Sequence, residues 1–372
     1  MHLGQKNSAR VALTVALTLA AATAARADIT TTFSGFGTAG GSFTSNSDYG
    51  YSHDSSEFTK ATNQLDIGLE SRLGLQGKVD FGSGWSVTAQ EVFRERGSDN
   101  FDPGMEWLYV QYAPNSDLQI RMGRVVLPVF LYSDSRQVGY AAPWFRSPSE
   151  VYAEFPFDYL DGGQISWQKT LGQLSIALQG TAGSTSATFQ KGTLTIVTHA
   201  HDIFNESVSV TYGDLLLRLA QTTLHAPQSL PLTSTFTLNY QEHGTFLSAG
   251  AQYDNGRAVL IGEWVDSKQN PAPILNEPLT GSKSWYAAAG WRFNKFLPLL
   301  TYGSSRAEQS ILNSPSTKNS SSASLRYDVV TNVALKAEVT RALGSDGLYF
   351  STTSTSTGEH VNVYSLGADF VF

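Results

Sequence analysis

A chain of 372 residues with no cysteine and a formal charge of −7 is not built as a small disulfide-stapled domain. Its acidic balance and the absence of a basic stripe argue against a nucleic-acid partner, and no stretch reaches the roughly 18 uninterrupted apolar residues of a membrane-crossing helix. Glycine, serine, threonine, tyrosine and phenylalanine are plentiful while helical patterning is scarce, which points to an all-β fold.

Residues 1–27 read as a secretory signal peptide. Lys6 and Arg10 form a positive start, Val11 to Ala22 an apolar core, and Ala25-Arg26-Ala27 a cleavage site before Asp28. Removing the basic residues Lys6, Arg10 and Arg26 from the 25 leaves 22 against 32 acidic ones, so residues 28–372 carry −10. Export without a spanning helix leaves a soluble secreted protein or a β-barrel.

Along the remaining chain, short and long connections alternate. Seven tight turns are expected at Phe81-Gly82-Ser83-Gly84, Pro114-Asn115-Ser116-Asp117, Thr170-Leu171-Gly172, Tyr212-Gly213-Asp214, Asp254-Asn255-Gly256, Asn294-Lys295-Phe296 and Val330-Thr331-Asn332. Eight long polar connections are expected near 43–62, 96–103, 125–161, 182–202, 225–244, 267–282, 304–318 and 343–358. Fifteen connections imply about sixteen strands, with short turns on one rim and long loops on the other.

The strands alternate with a period of two. In 64–78, Leu65, Ile67, Leu69, Leu73 and Leu75 oppose Gln64, Asp66, Glu70, Arg72, Gln76 and Lys78. Leu174, Ile176 and Leu178 oppose Ser175, Ala177 and Gln179, while Val333, Leu335, Ala337 and Val339 oppose Lys336, Glu338 and Thr340. A soluble sandwich alternates too. Aromatics recurring near strand ends, among them Trp85, Tyr112, Trp167, Tyr212, Trp291 and Tyr327, favour interfacial girdles and hence a barrel in a membrane. The last strand alternates through Tyr364, Leu366, Ala368 and Phe370 to a terminal Phe372, and looks like the assembly signal of Gram-negative outer-membrane barrels.

Together, the export signal, the start Phe33-Ser34-Gly35-Phe36-Gly37, the strand Leu118 to Arg124 ending in Gly123-Arg124, the long acidic loop after it and terminal Phe372 resemble the general porins of Gram-negative bacteria. The resemblance implies a transmembrane antiparallel β-barrel of sixteen strands in the outer membrane, contacting lipid and lipopolysaccharide, assembled by the barrel-assembly machinery and associated as a homotrimer. It also implies a third loop that folds inward, its acidic residues facing basic residues on the wall. The Pro-Glu-Phe-Gly-Gly loop motif of enteric members is absent, so the acidic positions cannot be matched singly.

That loop, 125–163, is too long and too aromatic to be an idle connection. Its carboxylates Asp134, Glu150, Glu154, Asp158 and Asp161 are the expected negative side of a constriction, with cap and turn roles as the plainer alternative. Strand parity puts Arg72, Arg94, Arg96 and Arg121 in the lumen. Arg124 has the parity of the apolar face, but it follows Gly123 at the strand end, where alternation commonly breaks, and the resemblance implies that it turns inward. Wall stiffening by pairing is the plainer role for each arginine. A transverse field there would orient small dipolar solutes, and the −10 balance suggests a weak cation preference.

Other chemistry is thin. His199-Ala200-His201 has metal-compatible spacing but reads as a solvated loop, and no serine-centred triad or phosphate loop stands out. The expectation is a passive diffusion porin for ions and small hydrophilic solutes, with no enzyme activity, metal or cofactor. Two alternatives stay open: a substrate-selective barrel of about eighteen strands, if Thr193 to His199 and Thr235 to Tyr240 add strands, and a barrel enzyme or structural barrel closed by its own loop.

Overall fold

The computed structural model describes residues 29–47, 49–53, 61–96, 98–155, 157–191, 194–231, 237–270, 280–307, 316–344, 350–352 and 359–372. The expected signal peptide lies outside these residues. The strands in chain order are β1 (Thr30–Thr44), β2 (Tyr49–Tyr51), β3 (Arg72–Gly82), β4 (Trp85–Arg96), β5 (Ser98–Tyr112) and β6 (Leu118–Val126). After the long loop come β7 (Tyr159–Leu171), β8 (Leu174–Lys191), β9 (Leu194–Tyr212), β10 (Leu215–Pro231), β11 (Thr237–Asp254) and β12 (Ala258–Asn270). The last are β13 (Thr280–Trp291), β14 (Phe296–Ala307), β15 (Ser316–Val330), β16 (Val333–Gly344), β17 (Phe350–Thr352) and β18 (Glu359–Val371).

All but β2 and β17, which pair with each other, form one closed sixteen-stranded antiparallel barrel. Closure is made by β1, which pairs with β3 on one side and with β18 on the other, Phe36 lying opposite Val371 and Gly37 opposite Phe370. Closure removes the sheet edges that lipid could not satisfy.

The seven short turns fall where expected because their geometry is local. Gly84, Gly172, Gly213 and Gly256 take positive φ there, and Asn115 and Asp254 accept backbone N–H groups within their own turns. Long connections were harder to delimit. Much of 96–103, 182–202 and 225–244 is strand: β8 pairs with β9 out to Lys191 and Leu194, and β10 with β11 out to Pro231 and Thr237. The described parts of the pieces that suggested eighteen strands, 194–199 and 237–240, are therefore ends of β9 and β11, and the count stays at sixteen.

The strand expected over 64–78 begins only at Arg72. Asp66 accepts the Leu69 N–H at 2.9 Å, and the Ser71 N–H reaches the Gly68 carbonyl, so the segment before β3 turns despite its alternating pattern. Side-chain competition for the backbone prevails there over periodicity.

Elsewhere the alternation is a lipid pattern, apolar side outward. Leu178, Leu219, Leu260, Leu300, Leu335, Val339 and Leu366 are exposed, whereas Thr181, Glu263, Lys336, Glu338 and Asp369 are buried inside. Glu206 and Gln221, opposite each other on β9 and β10, interrupt the outward band. Girdle aromatics stack across strands, as Trp85 does on Tyr112 and Phe296 on Tyr327. The expected assembly residues lie on the same outward face: Tyr364 stacks on Phe43, and Phe372 and Phe370 lie over Gly35 and Gly37, where a Cβ would collide with the rings.

The interior holds a second apolar surface. Tyr286 and Ala288 of β13, Val259, Ile261 and Val265 of β12, Phe246 of β11, and Leu297 and Leu299 of β14 form one cluster with Leu127, Val129, Phe130, Trp144, Val151, Tyr152 and Phe155 of the long loop. Burying large aromatics at about 25 cal/mol per Å² of apolar surface is ample to hold the loop against that wall.

Candidate functional site: the inner loop and its wall

Between Val126 and Tyr159 the loop runs along the inside of the barrel, and each wall strand from β10 to β16 takes hold of it. Arg218 of β10 donates to the Pro128 carbonyl at 2.6 Å, and Ser248 of β11 to the Val129 carbonyl at 2.6 Å. Glu263 of β12 accepts the Leu131 N–H at 2.7 Å and the hydroxyls of Tyr152 and Tyr286 at 2.7 and 2.8 Å. Trp144 meets the Tyr286 ring edge-on. Toward the short-turn rim, the Tyr140 hydroxyl donates to the Thr331 carbonyl, and Arg326 of β15 donates to the carbonyls of Tyr140 and Ala142 at 2.7 and 3.0 Å.

The far side of the loop is fastened by buried charge. Lys336 of β16 donates to the carbonyls of Gly139, Ala142 and Trp144 at 2.7, 2.7 and 2.9 Å and pairs with Asp369 of β18 at 2.9 Å. Arg146 sits between Glu70 and Glu338 at 3.1 and 3.4 Å, with its guanidinium 4.7 Å from the centre of the Tyr51 ring. Burial opposes the Arg146 charge, but Tyr51, Glu70 and Glu338 outweigh it and raise its pKa. At Glu70 burial pushes upward, yet His53 and Arg146 hold the carboxyl down at about 2. Both partners therefore stay ionised at neutral pH.

The expected constriction residues divide into three groups. Arg72, Arg94 and Arg121 do face the lumen. Arg72 donates to Gln137 of the loop at 3.4 Å, and Arg94 reaches Asp158 at 3.5 Å. Asp158 also pairs with Arg136, a residue of the loop itself, at 2.8 Å. Arg121 is held by the side-chain oxygens of Gln111, Gln164 and Gln119 at 2.9, 3.2 and 3.1 Å, and lies over Tyr109. The Arg96 side chain lies outside what is described.

Glu150 and Glu154 require a correction. Glu150 is 3% exposed in the helical turn Ser149–Tyr152 and sits against Gly303, where a Cβ would lie 2.6 Å from its carboxylate. Burial raises its pKa, against the Ser320 hydroxyl, backbone and Lys318, which lower it. Glu154 accepts the hydroxyls of Ser282 on β13 and Ser305 on β14, the latter at 2.8 Å. These carboxylates dock the loop on β13 and β14. Asp134 is exposed, in the 3-10 turn Ser133–Ser135.

Arg124 and Asp161 are the second correction. They lie directly opposite each other on β6 and β7 and form a two-pronged pair at 2.8 and 2.7 Å, Arg124 also stacking 3.9 Å over Tyr159. Asp161 has the parity of the exposed Ile165 and Trp167, while Leu160 points into the interior cluster. The pair thus belongs to the outward face at the long-loop rim. Gly123 does break the backbone, with φ +129°, but register returns Arg124 to its original face.

Sequence reasoning misses Arg136, Arg146, Arg218, Glu263, Arg326 and Asp369, and places Glu70, Lys336 and Glu338 only on a polar face. The available signal was that the acidic loop carries its own bases, Arg136 and Arg146.

A family model described as Gram-negative porin matches residues 12–347. No curated protein sequence matches the chain. Among solved structures, the trimer form of OmpT, an outer membrane protein of Vibrio cholerae, superposes with a TM-score of 0.62 at 12% identity, covering 92% of this chain and 99% of that one. The anion-selective porin from Comamonas acidovorans gives 0.61 at 14% identity, covering 93% and 100%. OmpF of Salmonella typhi, solved with daunomycin, gives 0.58 at 12% identity, covering 92% and 97%. Such identities speak for the barrel alone.

Proposed function

This chain belongs to the Gram-negative porin family and is an outer-membrane barrel, and we propose that it is a passive diffusion channel for ions and small hydrophilic solutes, with no covalent chemistry. The observation that carries this reading is a loop fixed inside the barrel, its apolar side packed on β11 to β14 and its polar side tied to Arg72, Arg94 and Lys336. The β3–β6 wall facing it carries Arg72, Gln76, Gln90, Gln111 and Arg121. A polar wall opposite a fixed loop suits hydrated solutes.

Ion preference in this reading is set locally, because charges more than about 8–10 Å away are largely screened at physiological salt. Glu150 is buried, Asp158 and Asp161 are paired with arginines and Glu154 is bonded to two serines, which leaves Asp134 as the exposed loop carboxylate, while Arg121 is held by neutral amides, so the lumenal balance favours anions. The weak cation preference suggested by the −10 balance is the competing outcome. A homotrimer is proposed on the likeness to the trimeric form of OmpT, an outer membrane protein of Vibrio cholerae.

Purified protein in planar bilayers under a KCl gradient tests all three points. Stepwise openings in threes, with a reversal potential on the anion side that moves toward cations in Arg121→Gln, support the reading. A silent inserted barrel overturns it and favours a closed structural barrel or an enzyme, which detergent-phase hydrolase assays separate.

A further inference from the structure

Three histidines line up across adjacent strands on the outward face, near the long-loop rim. His225 of β10 lies opposite His201 of β9 on one side and His243 of β11 on the other. Its neighbours Leu224 and Ala226 belong to the interior cluster, so His225 and the residues facing it point outward. His201 is eleven residues above Tyr212 at the short-turn rim. At about 3.3 Å per residue and a tilt near 40°, that is roughly 28 Å, at the edge of an apolar band about 25 Å tall. The row stands where water and ions reach it.

The backbone is distorted at this point. Two residues of β9 oppose one of β10 between Thr223 and His225, and two oppose one of β8 between Gly183 and Thr185. The bulge places Asp202 at φ +50°, a conformation uncommon for a residue with a side chain, and bulges commonly re-aim side chains. Here the Asp202 carboxylate lies 2.9 Å from His201 Nδ1 and 3.9 Å from His225 Nδ1.

One ligand atom from each of His201, Asp202 and His225 falls within 4.8 Å of the others. Four-coordinate zinc, with bonds of about 2.0–2.1 Å, separates its ligands by roughly 3.4 Å. Small side-chain rotations close the difference. His225 Nδ1 is shielded and has no hydrogen-bond partner, while its Nε2 lies 3.2 Å from His243 Nδ1. A proton on His225 Nε2 donated to His243 would leave the Nδ1 lone pair facing Asp202, the outer support a metal-binding imidazole normally has.

We propose that His201, Asp202 and His225 form a site for a borderline divalent transition metal of the zinc or nickel type, with His243 as the positioning residue and water completing the shell. The solvated loop expected for His199-Ala200-His201 is instead strand, and cross-strand register, invisible in the sequence, assembles the cluster.

The test is calorimetric titration of the untagged, EDTA-stripped barrel in detergent with ZnCl2 at pH 7.5. One saturable equivalent per chain is expected, lost in His225→Ala and in Asp202→Asn. His243→Ala should weaken affinity by about 10–100-fold, and His360→Ala, on β18, should leave it unchanged. Heat-modifiable gel mobility shows that each variant is folded. No saturable binding in the parent chain, or an unchanged equivalent in folded His225→Ala and Asp202→Asn, overturns the assignment.

Discussion

Arg146 of the inner loop and Glu70, two residues before β3, approach to 3.1 Å with side chains only 4% and 1% exposed. The pair ties the loop to the opposite end of the wall from its entry at β6. Removing one member of a buried pair costs about 3–5 kcal/mol, because the remaining charge stays desolvated. Arg146→Met should therefore loosen 139–152 without opening the barrel. Faster amide exchange in that segment, with unchanged heat-modifiable mobility and noisier single-channel traces, is the expected result; a quiet trace with parental exchange would refute the latch.

Acid should release the same latch. The Glu70 carboxyl is depressed from 4.5 to about 2, so the stabilisation it provides is complete above about pH 4.5 and lost as pH falls through 2. Spread over that window it amounts to roughly 3 kcal/mol. Single-channel recordings at pH 5 and pH 3 should show added closures only at the lower value, and Glu70→Gln should show them already at pH 7.

Glu150→Gln with Glu154→Gln should leave ion selectivity nearly unchanged. Glu150 is buried with a raised pKa, and Glu154 is engaged by Ser282 and Ser305. The expected effect is a loss of loop stability on the order of 1–3 kcal/mol, from partners left imperfectly paired. A large shift in reversal potential would return these carboxylates to the permeation path.

Lys336→Met should be among the most damaging single changes. It removes one donor from each of three loop carbonyls, with Arg326 still bonded to that of Ala142, and leaves Asp369, 1% exposed, beside Thr38 without its cation. Loss of about 3–5 kcal/mol is expected, read as a lower unfolding midpoint in urea. Lys336→Met with Asp369→Leu should recover part of it, since a matched apolar replacement removes the orphaned charge.

What the sequence by itself determined is what local chemistry decides. Turn residues such as Asp254-Asn255-Gly256 close hairpins through their own side chains, and a period of two places Leu335 and Val339 in lipid with Lys336 and Glu338 inside. Strand count, closure and the outward terminal Phe372 follow from such rules. The pattern misled where a side chain competes for the backbone, as Asp66 does before β3, and where polar strand ends read as loops, as in β8 to β11.

Tertiary structure alone decided which charges meet. The polarity of Glu150 reads the same in sequence whether it lines a pore or docks on Gly303, because the loop's position depends on an apolar patch assembled from β11 to β14. Parity put Arg124 on the outward face, but only register shows that it meets Asp161 there. Ion pairing and the histidine row across β9, β10 and β11 depend on distances of a few ångströms between residues far apart in the chain. Only closure of the barrel sets those distances.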